Sequence, residues 1–182
     1  MHPDIVVWWD RWSLSSYVTA DRKTVVSGSA RFWRLRRAAL ELAVRRLTRH
    51  GAIVVFVATE PPGKGMLSRC RPRCDPWVRF QIDHYHDITT KWNQTMHDYA
   101  EQHPEQAAFV SITDKVCRVD KSPCNDLIDG VPARPDGNHY VGAGQERAAT
   151  ALLDLLAPIL GRTNHPHFDR AQLTRLAGRG VE

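Results

Sequence analysis

A chain of 182 residues with 42% hydrophobic and 25% charged positions is long enough to bury one sizeable core. Its 11 glycines and 11 prolines are too few for a low-complexity or collagen-like chain. The longest apolar run, Ala52–Ala58, falls far short of the roughly 20 residues a membrane-spanning helix needs, so no transmembrane segment is read. The formal net charge of +5 leaves room for an anionic partner.

In chain order, Met1–Asp4 lead without any basic-then-apolar signal into Ile5–Trp9, a short β-branched and aromatic run that reads as a buried strand. Ser13–Ser29, rich in Ser, Thr and Gly, reads as a loop with some local structure. From Ala30 to His50 the apolar residues Phe32, Leu35, Ala39, Leu40, Ala43, Val44 and Leu47 fall on one helix face, and Gly51 is a natural stop. Arg34, Arg36, Arg37, Arg45, Arg46 and Arg49 belong to the same pattern and read as its solvated face. No aromatic RNP strand, zinc-finger spacing or Gly-x-x-Gly loop accompanies them, so nucleic acid is not expected as a partner.

Ala52–Ala58 has no polar alternation, as expected of a parallel strand covered on both faces. A basic, cysteine-bearing loop to about Pro76 follows Pro61-Pro62-Gly63. A helical stretch around His84–His103 comes next, with Ile88, Trp92, Met96 and Tyr99 roughly a turn apart. Ala107–Ile112 is a third buried-strand candidate, Thr113–Val141 reads as irregular, and Ala143–Leu160 as a final amphipathic helix. The alternation predicts an α/β fold, a three-layer α/β/α sandwich with a parallel sheet, over residues 1–160, followed by a basic tail over 161–182.

The four cysteines form two close pairs, Cys70 with Cys74 and Cys117 with Cys124, both in Pro/Arg-rich loops. Three readings compete: two local disulfides in an oxidising compartment, a loosely spaced four-cysteine zinc site, and unpaired structural thiols. The first is favoured, and no metal is expected. His84-Tyr85-His86 is a further metal handle by composition, though such a pair is ordinarily a surface feature.

Asp136-Gly137-Asn138-His139 is the most informative stretch. A carboxylate three residues before an imidazole on a tight turn can accept its Nδ1 proton and leave Nε2 as a general base. On spacing alone, a turn-forming Asp-Gly beside a structural histidine is the ordinary reading. The longer block from Asp129 through Tyr140, followed by Gly142-Ala143-Gly144 and a helix, resembles the last block of the SGNH (GDSL) hydrolases. It is most similar to the domains fused behind acyltransferase-3 membrane domains, and the likeness extends over about residues 3–160. Cys117–Cys124 resembles the short cysteine loop that often precedes this block, and Trp8-Trp9-Asp10-Arg11-Trp12 resembles the cleft-lining segment after a strand.

The resemblance implies an SGNH/flavodoxin-like sandwich and the chemistry of an acyl-ester hydrolase or O-acyltransferase acting on cell-envelope glycans outside the cytoplasmic membrane. In that scheme Asp136 orients His139, with Arg11, Trp12 and Asn138 lining the cleft and no metal or organic cofactor. Its partners are envelope carbohydrate or an acyl donor, and a membrane acyltransferase domain. The nucleophile of that family lies in a Gly-Asp-Ser block that this sequence lacks, its glycine block is missing too, and no asparagine stands in Trp8–Trp12 for the usual third block. The expectation is therefore an N-terminally incomplete domain, inactive alone, that keeps the base but not the serine. Ser13, Ser15, Ser16, Ser27 and Ser29 are weaker substitutes, since none sits in a sharp strand-to-helix turn. A non-catalytic module that binds glycan or a protein through a basic, tryptophan-rich rim is the first alternative, and a basic nucleic-acid-binding protein the lesser one.

Overall fold

The computed structural model describes residues 3–10, 14–70, 73–117, 123–128 and 130–161. The chain opens with strand β1 (Ile5–Trp8), then a small hairpin of β2 (Tyr17–Val18) and β3 (Thr24–Val25) within the segment expected to be a loop. Helix α1 (Ala30–Leu47) starts where the Ser29 hydroxyl accepts the Phe32 amide, and it buries Phe32, Leu40 and Val44. Strand β4 (Ile53–Val57) follows, every residue of it buried.

Helix α2 (Pro76–Asp83) was not expected, although its start signal is local: Asp75 caps the Trp77 and Val78 amides, and Pro76 takes the first helical position, where no amide is needed. A π-helical turn over Tyr85–Thr89 then feeds α3 (Thr90–Gln102), so the helix expected around His84–His103 is present and opens with a π-helical turn. Strand β5 (Ala107–Val110) leads into a one-turn helix, α4 (Thr113–Val116), and a two-residue hairpin, β6 (Leu127–Ile128) with β7 (Val131–Pro132), inside the stretch read as irregular. Helix α5 (Ala143–Leu160) closes the described chain, and the basic tail lies outside the described residues from 162 onward.

The fold is mixed α/β. β1, β4 and β5 form a parallel sheet in the order β1-β4-β5, with Ile5 opposite Ile53 and Val54 opposite Ala107. β4 is central, which explains its unbroken apolar run. Val54 and Phe56 join Leu40, Val44, Trp92 and Met96 of α1 and α3 on one face, while Ile53, Val55 and Val57 meet Leu156 and Ile159 of α5 on the other. β1 corrects the expectation of a buried strand. It pairs on one edge only among the described residues, and Val7 is 41% exposed.

Two further expectations change. The cysteine pairs do not both lie in loops outside the core, because Cys117 and Cys124 are buried in a third cluster with Ile112, Val116 and Ala148. The arginines of α1 are not all solvated, because Arg36 lies against the rings of Tyr17 and Phe32, 5.4 Å from each centroid. None of the described helices is long and apolar enough to cross a membrane.

Candidate active site

The carboxyl ends of parallel strands are where such sheets gather side chains for chemistry, because the chain turns from strand to helix there. Beyond β1 stand Trp9 and Asp10, and beyond β4 stand Thr59 and Glu60. The two exits are stapled together. Thr59 donates its hydroxyl to the Asp10 carbonyl at 2.9 Å, and Asn93 of α3 accepts the Thr59 amide at 2.9 Å and donates to its carbonyl at 3.0 Å. Thr59 and Glu60 are buried there.

The opposite wall is the Asp136 loop. The Gly137 amide donates to the Arg134 carbonyl at 2.8 Å, closing a turn in which Gly137 adopts a φ of +78°, a region that favours glycine. A Cβ at Gly137 would also run into the backbone nitrogen of Met66. The Gly63 amide donates to the Gly137 carbonyl at 2.9 Å and pins the turn to the segment after β4.

Within that turn Asp136 accepts three hydrogen bonds. Its Oδ1 takes the amides of Asn138 and His139, each at 2.8 Å, and its Oδ2 lies 2.6 Å from Nδ1 of His139. Partial burial raises the pKa of Asp136, but the His139 amide and ring together with the Asn138 amide outweigh it and bring the carboxyl down to about 2. At neutral pH the carboxylate can only accept, so the shared proton belongs on Nδ1 of His139. Nε2 is thereby left to act as a base on a ring that is 73% exposed.

Between the two walls lies a cavity of about 410 Å³. Trp9, Asp10, Thr59 and Glu60 line one side, and Asn138, His139 and Tyr140 the other. The Trp9 and Tyr140 rings meet across it with centroids 6.0 Å apart. A slightly larger groove of about 450 Å³ runs between α1 and α3, lined by Arg37, Glu41, Arg45 and Tyr99 among others. It sits on a helical flank and has no carboxylate-oriented imidazole, so the smaller cavity is the candidate site.

The structure thus brings Asp136, Asn138 and His139 together at one cavity, with part of the tryptophan segment. Arg11 and Trp12 lie outside the described residues. No serine lines the cavity among the described residues. Ser16 and Ser27 are engaged around the β2–β3 hairpin, where the Ser27 amide donates to the Ser16 hydroxyl, and Ser29 caps α1; Ser13 lies outside the described residues. His84 is exposed near Asp87, and the side chains of Tyr85 and His86 lie outside the description.

Both cysteine pairs are disulfides, Cys70 with Cys74 and Cys117 with Cys124. The second forms a floor beneath the Asp136 turn, through Arg134. Sequence reasoning missed Thr59, Glu60, Asp126 and Arg134. The first two had a usable signal, their position directly after an all-apolar strand; the other two are charged residues whose burial no local pattern announces. Comparison with known proteins adds no assignment, since no family model, curated protein or solved structure matches the chain.

Proposed function

We propose that the chain is an SGNH-type domain of an acyl-ester hydrolase or O-acyltransferase system acting on cell-envelope glycan, in a form that carries the base and its orienter without a nucleophile in the same cavity. The observation that carries this reading is the 2.6 Å contact between Asp136 and Nδ1 of His139 at the carboxyl edge of a parallel sheet, opening on a cavity with an aromatic wall. Such a base removes a proton from a hydroxyl as that hydroxyl attacks an acyl carbon. Trp9 and Tyr140 offer apolar faces for a sugar ring, and Asp10, Glu60 and Asn138 offer polar groups for its hydroxyls. Helices on both faces of the sheet are compatible with the SGNH sandwich. The two disulfides suit an extracytoplasmic location.

A second reading, a carbohydrate-binding module without catalysis, is favoured by the lack of serine in the cavity lining among the described residues. One titration addresses both readings. Adding acetylated chito-oligosaccharide to the 15N-labelled chain should shift the Trp9 indole and His139 ring resonances together and saturably. Trp9→Ala should abolish the response, and no movement at millimolar sugar would remove both readings. Fluorophosphonate then separates both from a complete serine esterase. The nucleophile-free reading expects no labelled serine and ester hydrolysis no faster than in His139→Ala, whereas a stoichiometric adduct would make the chain a complete serine esterase.

A further inference from the structure

We propose that Arg134 is the positioning residue of the Asp136–His139 pair: its buried guanidinium, held by Asp126, the Pro61 carbonyl and the Cys117–Cys124 bridge, fixes the turn that aims Asp136 at the His139 ring. Arg134 is among the largest wholly buried side chains of the molecule, with a relative exposure of 0%. Burying a charge is costly, and an apolar side chain of similar volume would fill the same space without that cost. The arginine therefore supplies something that volume does not, namely direction.

Its planar fork is used on every arm. Nε donates to Oδ2 of the buried Asp126 at 3.1 Å, and Nη1 donates to the Pro61 carbonyl at 2.9 Å. Nη2 points at both disulfide sulfurs, 3.1 Å from Cys117 and 2.9 Å from Cys124. Pro61 directly follows Glu60, so this arm reaches the wall of the cavity opposite the histidine. The guanidinium also lies 5.2 Å from the ring centre of Tyr140, the residue after His139. One group thus contacts the exit of β4, the disulfide floor and the far end of the histidine segment.

The backbone of the same residue starts the catalytic turn, because its carbonyl accepts the Gly137 amide. Only Pro135, with its ring-locked φ, separates the anchored Arg134 from Asp136, and Gly137 is pinned by Gly63 beyond it. The carboxylate consequently has almost no backbone freedom with respect to the guanidinium. Releasing the fork removes the side-chain anchor at the start of the turn and leaves it to the backbone bonds of Ala133, whose amide donates to the Asp126 carbonyl at 2.8 Å and whose carbonyl accepts the Val141 amide at 3.1 Å.

The proposal takes its functional meaning from the acyl-ester reading, but its test needs no substrate. In the full chain labelled with 15N-histidine, with His139 assigned by its loss in His139→Gln, the neutral ring should carry its proton on Nδ1. The variant Arg134→Met with Asp126→Leu removes the pair without stranding a charge. It should unfold cooperatively yet move His139 toward the Nε2–H form that an unconstrained histidine side chain prefers in water. Arg134→Lys keeps the charge against Asp126 but cannot reach Pro61 and the sulfurs together, and should show the same shift to a smaller extent. A purely structural role would lower stability without changing the tautomer of the folded protein. A folded variant that retains the native Nδ1–H form overturns the proposal, and so does failure of both variants to fold, which would make Arg134 a residue of the fold rather than of the site.

Discussion

The two disulfide loops of this chain are similar on paper and different in space. Cys70 and Cys74 flank Arg71-Pro72-Arg73, and Cys117 and Cys124 enclose a stretch that ends in Pro123. The first bridge ties the end of a 3-10 helix, Lys64–Cys70, to the cap of α2, and both of its cysteines are half-exposed. The second is buried between α4 and the β4 exit, with the Cys124 amide donating to the Pro62 carbonyl at 2.8 Å and the Arg134 guanidinium against its sulfurs. A covalent bond of one type is a surface staple in one place and the seat of a buried charge in the other. What a bridge contributes depends on what packs on it.

The sharpest way to break this comparison is to remove the charge that distinguishes the buried bridge. Arg134→Met alone leaves Asp126 buried without its cation, and should cost about 3–5 kcal/mol in urea unfolding. A cost below about 1 kcal/mol would show that the pair is solvated and the bridge carries nothing. Next in size is the buried bridge itself. Loop closure alone gives about 2 kcal/mol for loops as short as either of these. Cys117→Ala with Cys124→Ala also empties a buried site, which should raise the loss to about 3–4 kcal/mol. Cys70→Ala with Cys74→Ala should stay near the loop-closure figure of about 2 kcal/mol or below. Equal costs for the two double variants would erase the distinction.

The parts of this structure legible in the sequence are those in which a residue's surroundings are set by near neighbours. The unbroken apolar run of β4 announced a strand covered on both faces, and the spacing of Phe32, Leu40 and Val44 announced α1. Asp136 and His139 could be paired from a separation of three because the turn that joins them is local. β1 misled because its composition suits burial, whereas its exposure depends on which strands pair with it. Arg134 was invisible for a stronger reason. Its partners lie 8, 10, 17 and 73 residues away, and a lone arginine in a loop reads as solvated until those segments are brought together. The same holds for Glu60, whose burial in the cavity wall follows from tertiary packing.

The smallest expected effect is the most discriminating, because it asks which bridge supports the Asp136 turn. The Asp136 carboxyl sits at about 2 in the folded protein against an ordinary value of 3.8, so folding favours its charged form. A depressed carboxyl contributes stability that is fully present above the unfolded value and disappears as the pH falls through the folded one. The window is therefore between about 4 and 2, with stability falling as acid is added. Because the Asp136 side chain is 44% exposed, water screens much of the interaction, and the contribution should not exceed about 1 kcal/mol. Asp136→Asn should remove that part of the acid slope in urea titrations between pH 5 and pH 2, while leaving the slopes from other carboxyls in place. The Cys117→Ala, Cys124→Ala variant should lose part of the same slope, since the turn is anchored through Arg134 to that bridge. The Cys70→Ala, Cys74→Ala variant should keep all of it. If the surface bridge flattens the acid slope as much as the buried one does, the Asp136 turn is held by general rigidity and not by the guanidinium on the buried sulfurs.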